Sequence, residues 1–277
     1  MIEAPTLASQ DGRLHCRLCG GTLQRRFRRR VLEKYDVAYL QCEQCRSLQT
    51  EPPYWLDEAY RENNLSHLDT GAAQRNLHNL AACWSIAKVL RLSNVLDVGG
   101  GDGLLCRLLR DYQINCFVHD RYAKPSYAQG FDVPDFTTPE LILAFEVFEH
   151  YPQPRDELDA LFEPEPLALL ASTAIYTDQG EDWWYLASDA GQHVFFYSRS
   201  ALDRVARDHR YDLLTSGGYL LFLRHGSFSA TQRALARLVL KSTARRLTQA
   251  LLAMRSADGV RKDHLRQTEK SNSGRRG

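Results

Sequence analysis

The feature that most constrains this chain is the run from Leu96 to Gly103, which reads Leu-Asp-Val-Gly-Gly-Gly-Asp-Gly. An apolar stretch that breaks into glycines before a helical pattern predicts a buried strand, a tight turn and then a helix. Glycines at such a junction let the backbone approach a ligand that a Cβ would exclude, and the helix N-terminus offers free N–H groups beside it. The run therefore predicts a nucleotide-like cofactor at this turn.

The spacing of the glycines narrows the choice of cofactor. Gly99, Gly101 and Gly103 follow a G-x-G-x-G pattern, whereas dinucleotide-binding proteins use G-x-G-x-x-G, whose third glycine would fall at Leu104. Asp97 stands two residues before the first glycine, where its carboxylate can face a cationic amine. This arrangement favours the amino-acid end of S-adenosylmethionine over a pyrophosphate.

A second strand is predicted at residues 114–120, after a stripe of leucines at 104, 105, 108 and 109 that indicates a helix. This strand ends in Asp120, 23 positions after Asp97. A carboxylate at the carboxyl end of such a strand can accept two hydrogen bonds from a ribose diol. The alternative is that Asp120 caps a helix or holds a turn.

These residues resemble the first motif of the class I S-adenosylmethionine-dependent methyltransferases, an acid-x-Gly-x-Gly-x-Gly turn. A second match is residues 141–150, which resemble the family's fourth strand with its terminal Glu-Val-x-Glu-His signature. The resemblance covers about residues 72 to 226. It implies an α/β, Rossmann-like sheet of seven strands with helices on both faces and a reversed last strand. It also makes Phe136 and Phe145 candidate cofactor contacts, although Glu140 precedes the fourth strand where the family usually opens it with Asp.

Composition fits one sizeable α/β core plus a small module. The chain has 277 residues, of which 44% are hydrophobic and 25% charged. No apolar run approaches the roughly 18 residues that a membrane span needs, and the N-terminus lacks the pattern of a secretion signal. We therefore expect a cytoplasmic protein whose seven cysteines are thiols or metal ligands rather than disulfides.

Four cysteines form two C-x-x-C pairs, Cys16 with Cys19 and Cys42 with Cys45. This pattern is typical of two turns that present four thiolates to one Zn²⁺. Four thiolates leave no open coordination position, so the predicted ion is structural. The alternative is that the pairs are redox-active or incidental.

Four segments follow from these placements. We predict a zinc-ribbon module at residues 1–53, a helical linker at 54–94, the methyltransferase domain at 95–226, and a C-terminal helix and basic tail at 227–277. The boundary at 53 rests on two consecutive prolines, Pro52 and Pro53, which cannot continue a strand ladder.

Charge is uneven although the formal net charge is only +1. Residues 1–50 carry nine Arg and Lys against five Asp and Glu, and residues 241–277 carry ten against three, so the middle of the chain is acidic. An acidic centre repels a nucleic-acid backbone and favours a small acceptor such as a sugar or a nucleotide-linked sugar. The basic run from Arg25 to Arg30 keeps RNA as the second hypothesis.

Methyl transfer to a hydroxyl or a carbon acid needs a base. In the resembled family the acceptor lies beside the end of the fourth strand, which makes His150 and Glu146 the first candidates, with Glu149 orienting the imidazole. His193, at the start of an apolar run, is a rival base. The alternatives are that Glu149 and His150 cap the next helix or fix the backbone, and that His193 is structural.

A second cluster is aromatic and follows the predicted fifth strand. Adjacent tryptophans between acids are awkward to bury fully and suit the wall of a pocket for a sugar or another ring. The candidate acceptor contacts are Tyr176, Trp183, Trp184 and Tyr185. The alternative is simple packing of a lid.

The combination of a four-cysteine module, the cofactor motifs and this aromatic segment is similar to bacterial methyltransferases of sugar and polysaccharide pathways. The leading hypothesis is therefore a methyltransferase for a small, sugar-like acceptor. The second is a zinc-ribbon ribosomal RNA methyltransferase. The third is a binding scaffold that keeps the methyltransferase fold without its chemistry.

Overall fold

The computed structural model describes residues 14–61 and 70–274. The remaining residues, which fall in the predicted ribbon, linker and tail, lie outside the described parts. The chain divides into two compact units. The cysteine unit comprises Met1–Thr70, Glu146–Glu163 and Thr173–His209, and the sheet unit comprises Gly71–Phe145, Pro164–Ser172 and Arg210–Gly277.

Strands occur in both units. In chain order they are β1 (Leu23–Val31), β2 (Tyr35–Cys42), β3 (Leu48–Thr50), β4 (Asn94–Val98), β5 (Asn115–His119), β6 (Leu141–Phe145), β7 (Ala168–Ser172), β8 (Phe195–Phe196), β9 (Tyr211–Ser216) and β10 (Tyr219–Arg224).

Helices likewise alternate with strands along the chain. They are α1 (Leu56–Arg61), α2 (Ala72–Leu90), α3 (Leu104–Asp111), α4 (Pro154–Phe162), α5 (Arg199–Asp208), α6 (Ala230–Val239), α7 (Ser242–Ala253) and α8 (Asp258–Gly274), with short 3-10 turns at Phe148–His150 and Trp184–Leu186. Among the described residues, none of these helices combines the length and the apolar character that crossing a membrane requires.

The sheet unit contains a six-stranded sheet in the order β5-β4-β6-β7-β10-β9. The first four strands are parallel, and β10 runs antiparallel to both β7 and β9. The sequences of β6 and β7, Leu-Ile-Leu-Ala-Phe and Ala-Leu-Leu-Ala-Ser, are apolar almost throughout, as expected for central strands buried on both faces. The predicted α/β class with a reversed strand is therefore confirmed.

The predicted seventh strand is not confirmed. Turns and bends occupy residues 120–140, between β5 and β6. The N–H of Val118 donates to the carbonyl of Phe131 at 2.9 Å, so this segment makes one ladder-like contact with β5. Pro125, Pro134 and Pro139 lack the N–H that a continuous ladder needs, which explains why the pairing goes no further.

Three helices follow β10 within the described chain, where the sequence predicted a single helix and a tail. Ser229 begins α6 with a reciprocal capping box that includes Gln232. The last helix, α8, is held by Asp263, which receives a two-pronged ion pair from Arg110 of α3 at 2.7 Å. Periodicity in a basic, polar sequence did not reveal this buried partner.

The cysteine unit has its own four-stranded antiparallel sheet, in the order β1-β2-β3-β8. Its fourth strand comes from far along the chain, since Phe195 pairs with Gln49. The buried Arg17 guanidinium donates to the carbonyls of Thr50 (3.1 Å) and Val194 (2.7 Å), and burial lowers its pKa to about 10. This one side chain thus links the turn of the first cysteine pair to the two strand segments.

Candidate functional site

The glycine turn joins β4 to α3 in the sheet unit. Gly99, Gly101 and Gly103 all have positive φ (70°, 57° and 82°), a backbone region that side chains with a Cβ rarely adopt. A Cβ on Gly100 would lie 2.5 Å from Oδ2 of Asp97. The turn therefore needs glycine at 99, 101 and 103 for conformation and at 100 for close approach, a role for Gly100 that the motif spacing did not reveal.

Asp97 is a buried acidic residue that precedes the turn. It lies on β4, is only 2% exposed, and its Oδ2 has no hydrogen-bond partner among the described residues. Burial, and then the negative charge of Asp120, raises the pKa of this carboxyl to about 7. A buried carboxylate with an unsatisfied oxygen is a strong acceptor for a cationic ligand group, because a ligand that pairs with it removes the cost of its burial.

Asp120 follows β5, whose carboxyl end lies beside that of β4 through the pairing of Val98 with His119. Its Oδ2 accepts from the N–H of Gly101 at 2.9 Å, and its Oδ1 accepts from the N–H groups of Tyr122 and Ala123, both at 2.8 Å. Asp120 thus holds the turn, as the alternative interpretation expected. A carboxylate offers about four acceptor sites, so the role of ribose partner stays a prediction.

The two candidate aromatic contacts belong to the same unit. The Phe136 ring meets Phe117 edge-on with centroids 5.5 Å apart, and the Phe145 ring meets Tyr219 in the same way at 5.9 Å. Both side chains are half-buried. Each ring is held in place by its aromatic neighbour. The partial exposure of both rings is compatible with the predicted contact to a ligand.

S-adenosylmethionine fits the donors and acceptors of this edge of the sheet. The buried carboxylate of Asp97, whose Oδ2 has no partner within residues 14–61 and 70–274, suits the amine. The glycine turn permits close backbone approach, and Asp120 stands at the neighbouring strand end. The carboxyl ends of parallel strands are the usual ligand-binding edge of an open α/β sheet.

The candidate base residues lie in the cysteine unit. Glu149 and His150 form the 3-10 turn at Phe148–His150, and His193 precedes β8. The side-chain oxygen or nitrogen atoms of these three residues all lie within 4.8 Å of one another. The hydroxyl oxygen of Tyr185 lies 2.6 Å from Oε1 of Glu149 and 2.8 Å from Oε2 of Glu146. Tyr185, predicted as an acceptor contact, is therefore placed within the carboxylate cluster.

Burial dominates the electrostatics of this cluster. Burial and the nearby Glu146 charge raise the pKa of Glu149 to about 8. Burial, with a smaller effect of His193, lowers the pKa of His150 to about 3, and burial also lowers the pKa of His193. Both imidazoles are consequently neutral at pH 7. The side chains of Glu149 and His150 do not cap α4, because its N-cap residue is Gln153 and no side chain makes a capping hydrogen bond there.

The aromatic candidates separate by exposure. Tyr176 and Tyr185 are 2% and 3% exposed, whereas Trp184 is 79% exposed. Trp183 packs against Tyr176 and Tyr185, with centroids 5.9 and 5.4 Å away. Trp183 also lines a cavity of about 870 Å³, and the other residues around it are Arg26, Phe27, Gln179, Gly180, Glu181 and Asp182. The aromatic residues therefore pack partly as a lid, which was the alternative interpretation, and the ring of Trp183 remains at the wall of the cavity.

The four predicted metal-ligating cysteines come together. Sγ of Cys16 lies 3.7 Å from that of Cys45, Sγ of Cys19 lies 3.4 Å from that of Cys42, and all four sulfurs are within 4.8 Å of one another. Four ligands at about 2.3 Å from a tetrahedral Zn²⁺ would be separated by roughly 3.8 Å. None of the four is in a disulfide. The cluster therefore fits a zinc ion.

Comparison with known proteins identifies the family of this chain. A family model described as a methyltransferase domain matches residues 60–216. No curated protein matches the chain. Among solved structures, magnesium protoporphyrin IX methyltransferase from Synechocystis PCC 6803 with bound SAH is similar at 14% identity and a TM-score of 0.44, covering 62% of this chain and 95% of that one. The 1,6-didemethyltoxoflavin-N1-methyltransferase of Burkholderia thailandensis is similar at 13% identity and a TM-score of 0.44, covering 68% and 93%. Because the family model matches more than half of the sequence, the chain belongs to the methyltransferase-domain family.

Proposed function

We propose that this protein is an S-adenosylmethionine-dependent methyltransferase that acts on a small, sugar-like acceptor. The observation that carries the proposal is the buried carboxylate of Asp97. Its Oδ2 has no partner in the described parts of the chain, and it stands beside a turn where three glycines have positive φ. Burial of such a group is costly unless a cation pairs with it. The amine of S-adenosylmethionine supplies that cation.

The cofactor-binding roles follow from the sheet unit. Asp97 receives the amine, the glycines at 99, 101 and 103 allow the backbone to approach the ligand, and Asp120 accepts hydrogen bonds from the ribose. Phe136 and Phe145 border the adenine. S-adenosylmethionine supplies an electrophilic methyl group when bound. The protein's task is to orient the acceptor and to remove its proton.

For the acceptor side we propose the cysteine unit. Glu146, Glu149, His150 and His193 form the proposed carboxylate and imidazole cluster around the acceptor, with Glu146 as the candidate base, and Trp183 offers a ring on which a sugar can stack. Arg26, which lines the same cavity as Trp183, would pair with the phosphate of a nucleotide-linked sugar. Tyr176, Trp184 and Tyr185 complete the proposed acceptor surroundings, and the four cysteines hold a structural Zn²⁺.

The first test is calorimetric binding of S-adenosylhomocysteine to the zinc-loaded full chain. Asp120→Ala should weaken binding by about 10-fold to 100-fold, the range for a lost charge-assisted hydrogen bond. Asp102→Ala is the matched control, because Asp102 is an exposed acid of the same turn. No binding by folded wild-type protein would contradict the proposal and turn attention to the scaffold hypothesis.

A second measurement addresses the acceptor. Transfer of labelled methyl from S-adenosylmethionine should occur onto nucleotide-linked sugars rather than onto ribosomal RNA. Methyl transfer to RNA, with binding that weakens steeply as salt increases, would favour the RNA methyltransferase instead.

A further inference from the structure

Two imidazoles and a carboxylate converge inside the cysteine unit, far along the chain from the four cysteines. Glu149 is fully buried, His193 is 8% exposed, and the potential ligand atoms of Glu149, His150 and His193 all lie within 4.8 Å of one another. The two histidine rings are perpendicular, with centroids 4.8 Å apart. Three potential ligand atoms this close together could hold a metal ion.

The hydrogen bond of His193 leaves one of its ring nitrogens available. Nδ1 of His193 lies 2.7 Å from the carbonyl oxygen of Tyr185. A carbonyl only accepts, so Nδ1 carries the proton and Nε2 keeps its lone pair. A ring nitrogen of His150 donates to the backbone of Gln192, and its Nδ1 lies 3.5 Å from the hydroxyl oxygen of Tyr60, a long contact that a metal ion can displace. Metal-binding histidines commonly donate their second nitrogen to a backbone carbonyl, which fixes the tautomer that binds the ion.

The carboxyl groups of Glu146 and Glu149 share one phenolic donor. One phenolic proton of Tyr185 faces two carboxyl groups, Oε1 of Glu149 at 2.6 Å and Oε2 of Glu146 at 2.8 Å, and it can be donated to only one of them. Oε2 of Glu149 is buried and has no hydrogen-bond partner in the described part of the chain. Two carboxylates this close inside a protein need a cation or a shared proton.

We propose that Glu149, His150 and His193 bind a divalent first-row transition-metal cation, which is distinct from the zinc at the four cysteines. Two imidazoles with one carboxylate suit Zn²⁺, Mn²⁺ or Fe²⁺ better than the all-oxygen coordination that Mg²⁺ prefers. Oε2 of Glu149 is the ligand oxygen, because Oε1 is occupied by Tyr185.

The proposed site has three protein ligands, and three-ligand sites keep positions open for an exogenous oxygen. A hydroxyl of the acceptor that binds there is polarised by the ion, which acts as a Lewis acid. This use of the ion rests on the proposed methyltransferase function. Occupation of the site by the ion does not, so the two can fail separately.

The test is metal binding by the full chain after zinc loading and removal of excess metal. We expect elemental analysis to give two zinc ions per chain for wild type. In protein that holds zinc only at the cysteines, we also expect a titration with Mn²⁺ to show one bound Mn²⁺ per chain. The electron paramagnetic resonance signal of free Mn²⁺ monitors this titration. Mn²⁺ is the informative probe because it prefers oxygen and nitrogen ligands to thiolates.

Three variants locate the second ion. Glu149→Gln and His193→Ala should each weaken Mn²⁺ binding by at least about 100-fold, because loss of even an outer hydrogen-bond partner commonly costs 10-fold to 100-fold. His225→Gln, which changes an exposed histidine of the sheet unit, should bind Mn²⁺ as wild type does. Circular dichroism checks folding, and if His193→Ala does not fold, the nearly isosteric Glu149→Gln decides.

One zinc and no Mn²⁺ per wild-type chain would overturn the metal site. Undiminished Mn²⁺ binding by folded Glu149→Gln would overturn it as well. Binding of S-adenosylhomocysteine is measured on the same samples. If the chain binds the second ion but not S-adenosylhomocysteine, the proposed function alone is contradicted. If it binds S-adenosylhomocysteine but not the second ion, the metal site alone is contradicted.

Discussion

Asp97 gives the sharpest prediction, because its carboxyl is buried and Oδ2 has no hydrogen-bond partner among the residues that the structure describes. Burial and the Asp120 charge raise its pKa from 3.8 to about 7. At ~1.4 kcal/mol for each pKa unit, ionising this carboxyl costs the ligand-free fold about 4 kcal/mol. The pKa is higher in the folded than in the unfolded state. Folding stability is therefore lost as pH rises from about 4, and the loss is complete above about pH 7.

The substitution Asp97→Asn removes this dependence, since the amide does not titrate. Between pH 5 and pH 9 the free energy of unfolding of wild type should fall by about 3 kcal/mol relative to that of Asp97→Asn. The assay is urea unfolding of both proteins without cofactor at several pH values. The difference between the two proteins cancels other titrating groups, and Asp102→Asn, at an exposed acid, should show no such trend.

The affinity for the cofactor should depend on pH in the opposite direction to the folding stability. The ionised carboxylate binds the amine, so the affinity of wild type for S-adenosylhomocysteine should decrease as pH falls below about 7, whereas Asp97→Asn should bind weakly at every pH. A stability difference between wild type and Asp97→Asn that does not vary with pH would refute the reasoning, because it would mean that Asp97 titrates normally in the folded chain.

Two further predictions concern the stability of each unit. Asp263→Asn should lower the free energy of unfolding by about 3–5 kcal/mol, because it leaves the 6% exposed guanidinium of Arg110 without its counter-charge. The same change at Asp203, whose pair with Arg199 is exposed, should cost below about 1 kcal/mol in the same denaturant titration. Removal of zinc with a chelator should unfold the region around the four cysteines and expose their thiols to a thiol reagent; thiols that stay protected in the metal-free protein would contradict a structural role for zinc.

Some of the site was predictable because its causes are local. Glycines at 99, 101 and 103 specify a turn through backbone conformation alone, and the observed φ values agree with that expectation. Two C-x-x-C pairs predicted a four-sulfur cluster because each pair needs only one tight turn, and the sulfurs do converge. The fourth strand expected from the resemblance at residues 141–150 is present as β6, Leu141–Phe145, and its apolar sequence suits burial on both faces.

Other features depend on contacts between residues distant in sequence. Asp263 pairs with Arg110, 153 residues away, and no pattern in the sequence of the basic tail predicts this pair. The bond between Tyr185 and Glu149 joins residues 36 positions apart, and it turned an expected acceptor contact into a neighbour of the carboxylates. The sheet has six strands in the described part of the chain rather than seven, and the prolines between β5 and β6 limit ladder pairing there because each lacks an N–H.

The sequence by itself determined the methyltransferase class of sheet, the glycine turn and the four-cysteine cluster, because each is specified by residue type and spacing within a short segment. Only the tertiary structure decided that Oδ2 of Asp97 has no partner among the described residues and that Glu149 meets two histidines. Burial and convergence arise when distant segments pack together, and they set the charge state and ligand geometry of a side chain. The physical reason is that solvent exclusion is a property of the packed unit, whereas conformational preference belongs to each residue.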